Sequence, residues 1–100
     1  MENYPTNEDC EKTGKLAVAL AAKAFPKVRI VRAEVKVKWD IDGDPFLWVR
    51  IIVDKPKGER LNLDADYQLK LQLSREMEAV GITAYPLITY PSYAELGDAA

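Results

Sequence analysis

The chain has 100 residues, 48% of them hydrophobic and 30% charged, with 14 Lys and Arg against 16 Asp and Glu for a net charge of -2. That length suits one domain burying about two-thirds of its unfolded surface, and the near balance of charge excludes a surface given over wholly to nucleic acid or anionic lipid. Histidine is absent, which removes Ser-His-Asp and Cys-His nucleophilic arrangements, most zinc chemistry and the usual general base near neutral pH.

In chain order, residues 1–5 carry no pattern and are expected to be disordered, as are 97–100. Thr6 or Asn7 offers a helix N-cap, followed by Glu8, Asp9 and Glu11 where negative charge meets the positive end of the helix dipole. This helix is expected to run to about Phe25, ahead of Pro26. Thr13, Leu16, Ala17, Leu20, Ala21 and Ala24 recur at three- and four-residue spacings as an apolar stripe, with Lys12, Lys15 and Lys23 on the opposite side.

A strand follows to Trp39 or Asp40, its Val31, Ala33, Val35, Val37 and Trp39 at period two; Leu47, Val49, Ile51 and Val53 repeat the alternation across Phe46 to Asp54. Between them Asp42-Gly43 predicts a type I′ hairpin turn, with Pro45 at its edge. Lys55 to Arg60 reads as a charged loop and Asp64 as the N-cap of a helix over Ala65 to Val80. Ala65, Leu69, Leu73, Met77 and Val80 form its apolar face, widened by Tyr67 and Leu71, and Gly81 ends it in the left-handed conformation. Ile82 to Tyr90 reads as a third strand, with Ala84, Leu87, Ile88 and Tyr90 as candidates for burial and Pro86 confining it to a sheet edge. Pro91 to Leu96 has room for a turn of helix.

The order α-β-β-α-β implies an α+β fold in a single domain: a two-layer α/β sandwich, a three-stranded sheet with two helices on one face and a right-handed crossover between strands two and three. Against a split βαβ domain one strand is missing, which leaves an edge open for self-association or a partner strand.

Motifs for bound groups are absent. Asp40-Ile41-Asp42-Gly43-Asp44 superficially resembles the start of a calcium loop, but the twelfth position, where a bidentate Glu belongs, is Ile51, and predicted strands flank the segment. The phosphate-cradling P-loop and dinucleotide patterns do not occur. No cofactor, metal ligand set or catalytic residue is therefore expected. Cys10 is the only cysteine, so no internal disulfide forms, and a lone thiol fits a reducing, cytoplasmic compartment. Glu8, Asp9 and Glu11 around it oppose thiolate formation. The apolar run from Leu16 to Ala22 is far short of the ~20 residues that cross a bilayer, and Met1 is followed by acidic and polar residues instead of a basic, then apolar, leader. No membrane association is expected.

Burial of the odd-numbered hairpin residues turns Arg32, Glu34, Lys36, Lys38, Phe46, Trp48, Arg50 and Ile52 outward. Phe46, Trp48, Arg50 and Ile52, with Tyr85 and Tyr90 near the edge strand, are candidates for an interface with a second copy or another protein, since aromatic residues and Arg are enriched where interfaces are buried. The tyrosines also suit core packing with their hydroxyls at the rim. Between Lys12 and Lys38 eight basic residues stand against one acidic residue, Glu34, for a segment charge of +7. Lys12, Lys15, Lys23, Arg32, Lys36 and Lys38 are thus candidates for holding phosphates while the aromatic residues stack on bases. The element order also resembles that of type II KH domains and of the ribosome-binding factor A family, which implies a small RNA-associated module. Their G-x-x-G loop has no counterpart, the only nearby glycines being Gly43 and Gly58, so no site residue is carried over. The expectation is a non-enzymatic protein acting through association, as a homodimer or a subunit of an assembly. The alternative is an RNA-binding or ribosome-associated module using the basic, aromatic sheet face.

Overall fold

The computed structural model describes residues 4–55 and 60–96. The terminal segments expected to be disordered, and most of the charged loop after Lys55, lie wholly or partly outside that range. Helix α1 (Asn7–Ala24) starts from a reciprocal cap: Thr6 Oγ1 accepts the Asp9 N–H at 3.1 Å and the Asp9 carboxylate accepts the Thr6 N–H at 3.0 Å. Thr13, Ala17 and Ala21 are fully buried, with Leu16, Leu20 and Ala24 packed around them. Small side chains let α1 lie close to the sheet, so that a Cβ added at Gly14 would stand 3.6 Å from Val35 Cγ2.

Strands β1 (Arg29–Trp39) and β2 (Pro45–Asp54) pair antiparallel. The turn between them is not type I′. Gly43 N–H donates to Asp40 O at 3.0 Å, and the only positive φ in the turn is that of Gly43, 84°. Ile41 and Asp42 thus sit at negative φ, as in a type I turn closed by one left-handed residue. The Asp40 carboxylate accounts for the difference, accepting the N–H groups of Asp42 and Asp44, each at 2.9 Å. The alternation also slips once. The register steps from Ile30↔Val53 to Arg32↔Ile52, so Val31 is the extra residue of a β-bulge and Ile30 joins the core in its place.

Helix α2 (Leu63–Ala79) begins at Asn62, whose side chain accepts the Ala65 N–H at 3.0 Å, two residues before the expected Asp64 cap. Leu69, Leu73 and Met77 are buried, whereas Val80, Tyr67 and Leu71 are exposed. Tyr67 and Leu71 stand two residues from Leu69, about 200° around the helix, which takes them off the buried face. At the end of α2, Gly81 N–H donates to Glu78 O and Ile82 N–H to Met77 O, with Gly81 at φ 87°. This Schellman motif tucks Ile82 against the core beside Met77.

Strand β3 (Pro86–Thr89) is shorter than expected and runs parallel to β2, giving the sheet order β1-β2-β3. Ile88 faces the core, but Leu87 turns to the opposite face and is half-exposed. A single helical turn, α3 (Tyr93–Leu96), packs against β2. One continuous core joins Ala17 and Ala21 of α1, Leu69, Leu73 and Met77 of α2, and Leu47, Val49, Ile51, Val53 and Ile88 of the sheet. Both long helices therefore cover one face of a three-stranded mixed sheet, and the other face is left to the outward residues.

Two substitutions test this packing in opposite directions. Thr13 Oγ1 is buried with no hydrogen-bond partner, so Thr13→Val, which exchanges the hydroxyl for a methyl, is expected to stabilise the fold by about 1 kcal/mol. Leu73→Ala is expected to destabilise it by about 2–5 kcal/mol through lost contacts and a cavity. Urea unfolding midpoints measure both.

Candidate functional site

The pleat sets Lys38 beside Phe46, Lys36 beside Trp48, Glu34 beside Arg50 and Arg32 beside Ile52 on the outer face. β3 extends the rows, with Leu87 next to Trp48 and Thr89 next to Arg50. Trp48 lies at the centre. Its indole N–H donates to Thr89 Oγ1 at 3.2 Å, while Lys38 Nζ stands 5.4 Å and the Arg50 guanidinium 5.2 Å from the ring centroid. Each cation–π contact at a partly exposed site is worth about 0.5–1 kcal/mol. Glu34 accepts from Arg32 and from Arg50, both at 3.0 Å, so one carboxylate holds a guanidinium group of its own strand and one of the neighbouring strand. Phe46 stacks on Tyr85 with centroids 5.4 Å apart and planes 17° from parallel. Arg32, Lys36, Lys38 and Arg50 thus surround Glu34 and an aromatic cluster, and the Arg29–Asp54 pair, 3.4 Å apart, lies at the far end of the same face.

The candidates inferred from sequence do not all belong to it. Phe46, Trp48 and Arg50 are half-buried in the face and Tyr85 is exposed at its margin. Ile52 points the same way but is fully buried, outside the main core cluster. Tyr90 sits with the core of the helix layer, edge-on to Phe25 at 5.6 Å, with its hydroxyl donating to the Asp66 carboxylate of α2. Among the basic candidates, Arg32, Lys36 and Lys38 are exposed on the outer face, whereas Lys12, Lys15 and Lys23 ride on α1 on the other side of the sheet. Lys12 pairs with Glu8 at 3.2 Å. The basic segment is therefore split between two faces, and Lys15 and Arg32 both line the groove at the free edge of β1. Leu87 and Thr89 join the surface because β3 pairs with β2, an arrangement that periodicity does not reveal.

Among the described residues no group of three or more Cys, Asp or Glu is placed to hold a metal ion, and no helix is long and apolar enough to cross a membrane. The Asp40 to Asp44 cluster is a turn between strands. Burial, and then the charge of Asp9, push the Cys10 thiol above its ordinary range, which keeps it protonated near neutral pH.

Comparison with protein-family models, curated proteins and solved structures returned no match. The likeness to KH-type domains accordingly stands on element order alone.

Burial, followed by its hydrogen bond to Asp66 and the charge of that carboxylate, pushes the Tyr90 phenol above its ordinary value of 10.0. The folded state then keeps a proton that the unfolded chain releases. The resulting stability is fully present below about pH 10 and declines as pH rises beyond it. Tyr90→Phe is expected to lower stability at neutral pH by about 1.5 kcal/mol, the low end for a charged partner because Asp66 keeps Lys70 at 3.1 Å. It is also expected to flatten the alkaline decline, which urea midpoints taken on either side of pH 10 would show.

Proposed function

We propose that this chain is a non-enzymatic, cytoplasmic association module, a homodimer or a subunit of a larger assembly, whose outer sheet face receives another macromolecule. One observation carries the reading. Trp48, held between Lys38 and Arg50 beside the stacked Phe46–Tyr85 pair and the half-exposed Leu87, makes a continuous aromatic and cationic surface on the face opposite the two long helices. Rigid aromatic anchors with Arg are the residue types that carry binding energy at interfaces. The excess of cations over Glu34 favours a partner surface that is acidic around an apolar centre, and it disfavours two copies of this face meeting each other. The absence of histidine and the protonated Cys10 support a role without proton-transfer or thiolate chemistry. The lone cysteine supports a reducing compartment.

A second reading, single-stranded RNA on the same face, is favoured by the exposed Lys38 beside the stacked Phe46–Tyr85 pair, with the exposed Lys36 and Arg32 following along the strand. Fluorescence titration of a single-stranded oligoribonucleotide at two salt concentrations separates the two. If RNA is the ligand, affinity is expected to fall with a logarithmic salt slope of about -3 for four engaged cations, and Trp48→Glu abolishes binding. If protein association is the role, the oligonucleotide binds weakly and Trp48→Glu alters only assembly beyond the dimer, read by light scattering across dilution. A chain that stays monomeric when concentrated, binds no oligonucleotide and is indifferent to Trp48→Glu leaves this face without a function.

A further inference from the structure

We propose that two copies of this chain pair antiparallel through the free edge of β1, with Trp39 of each copy seated in the groove between α1 and β1 of the other. The pairing rests on the association reading above, but it uses the sheet edge instead of the outer face. Hydrogen-bond directions expose that edge. Leu47 N–H donates to Tyr85 O at 3.0 Å and Val53 N–H to Pro91 O at 3.1 Å, so odd-numbered residues of β2 bond toward β3 and even-numbered ones toward β1. Their partners Arg32, Glu34, Lys36 and Lys38 bond inward, and the backbone groups of Ala33, Val35, Val37 and Trp39 face away from the sheet. Among the described residues no strand pairs with that side. An eleven-residue edge carrying unpaired donors and acceptors is a template for another strand.

Two features select a second copy as the occupant. The first is shape. Trp39, on the helix side of the pleat, is 57% exposed. Further back on the same edge lies a groove of about 530 Å³ between Val31, Arg32 and Ala33 of β1 and Gly14, Val18 and Ala19 of α1, with the charged Glu11 and Lys15 also lining it. A two-fold axis through Val35 pairs Ala33 with Val37 of the other copy and brings Trp39 opposite the other copy's Val31, beside that groove. One exposed indole and one groove with an apolar floor and charged rim, placed symmetrically about Val35, are self-complementary.

The second feature is charge. The same register sets Glu34 opposite Lys36 in both halves of the pair. It also lays the exposed Asp42 and Asp44 of one hairpin turn beside the exposed Lys27 at the start of the other copy's strand, next to Arg29, which Asp54 of its own chain already holds at 3.4 Å. Arg32, already held by Glu34, falls opposite Lys38. Moving the axis to Glu34 or to Lys36 would put that residue against its own copy, like charge facing like charge, so charge along β1 favours the Val35 register over either neighbour, and the seating of Trp39 favours it over one centred on Ala33.

Sedimentation velocity on the full chain across a dilution series is expected to show a monomer–dimer equilibrium. Trp39→Ala and Ala19→Arg, both at exposed positions, are expected to abolish the dimer while circular dichroism and the unfolding midpoint hold; Trp48→Glu is expected to leave the dimer intact. In a Cys10→Ser background, mixed Glu34→Cys and Lys36→Cys chains are expected to cross-link on oxidation, and neither alone. A monomer at every concentration overturns this pairing together with the homodimer form of the function above. A dimer lost in Trp48→Glu but kept in Trp39→Ala overturns the edge and leaves association through the outer face standing. A dimer indifferent to both, a Cys pair that never cross-links, or a monomer that instead takes up an added strand of another protein also overturns it.

Discussion

Leu47, Val49, Ile51 and Val53 lose all contact with solvent on one side of β2, and the pleat then leaves no freedom for the residues between them. A slip by one position would drive Arg50 into the helix layer and bring Ile51 out to water, so the pairing of β1 with β2 is over-determined. Every surface follows from that register. The helices take the side where the odd residues lie, and Trp48 and Arg50 are carried to the other. The same parity decides which backbone groups of β1 bond to β2 and which are left over.

Electrostatics then divides the remaining surface. The outer face concentrates guanidinium and ammonium groups around an indole, with Glu34 tying two of the arginines down. The Arg50 side chain is less than a quarter exposed, so it is screened less by salt than the outlying lysines. The β1 margin, by contrast, runs from positive at Lys27 and Arg29 to negative at Asp42 and Asp44. A patch of one dominant sign suits a partner of the other sign, whereas a margin that changes sign along its length suits a reversed image of itself. The two surfaces adjoin along β1, so the pairing proposed for the edge would extend the cationic face instead of covering it.

Much of this was legible in the residues. The Thr6 cap, the alanine-rich stripe of α1, the faces of the hairpin from Ala33 to Val53 and the stop at Gly81 all follow from local rules, and the structure obeys them. The departures share a physical origin in alternatives that are locally close in energy. Ile30 and Val31 are both β-branched and apolar, so nothing in their side chains marks the bulge. Asn62 and Asp64 are both competent caps, and the helix takes the earlier one. Asp42-Gly43 satisfies the signature of one turn, but the Asp40 side chain stabilises another. The outer site was harder to read, because its membership depends on which strand lies beside β2. Leu87 and Thr89 entered it, and Tyr90 and Ile52 left it, through pairings and packing that no periodicity encodes. The basic segment read as one feature along the chain, yet α1 and β1 lie in different layers and its charges separate.

Strand β3 has one property whose effect reaches beyond the single molecule. It is only four residues long and opens with Pro86, and because Tyr85 and Leu87 bond toward β2, the amide hydrogen that Pro86 lacks is missing from its outer margin. The sheet is therefore polarised, with one margin able to accept a neighbour and the other blunted. An assembly that grows by strand addition would be sealed after one joining event, a built-in terminator that keeps a sticky sheet from running on into a fibre.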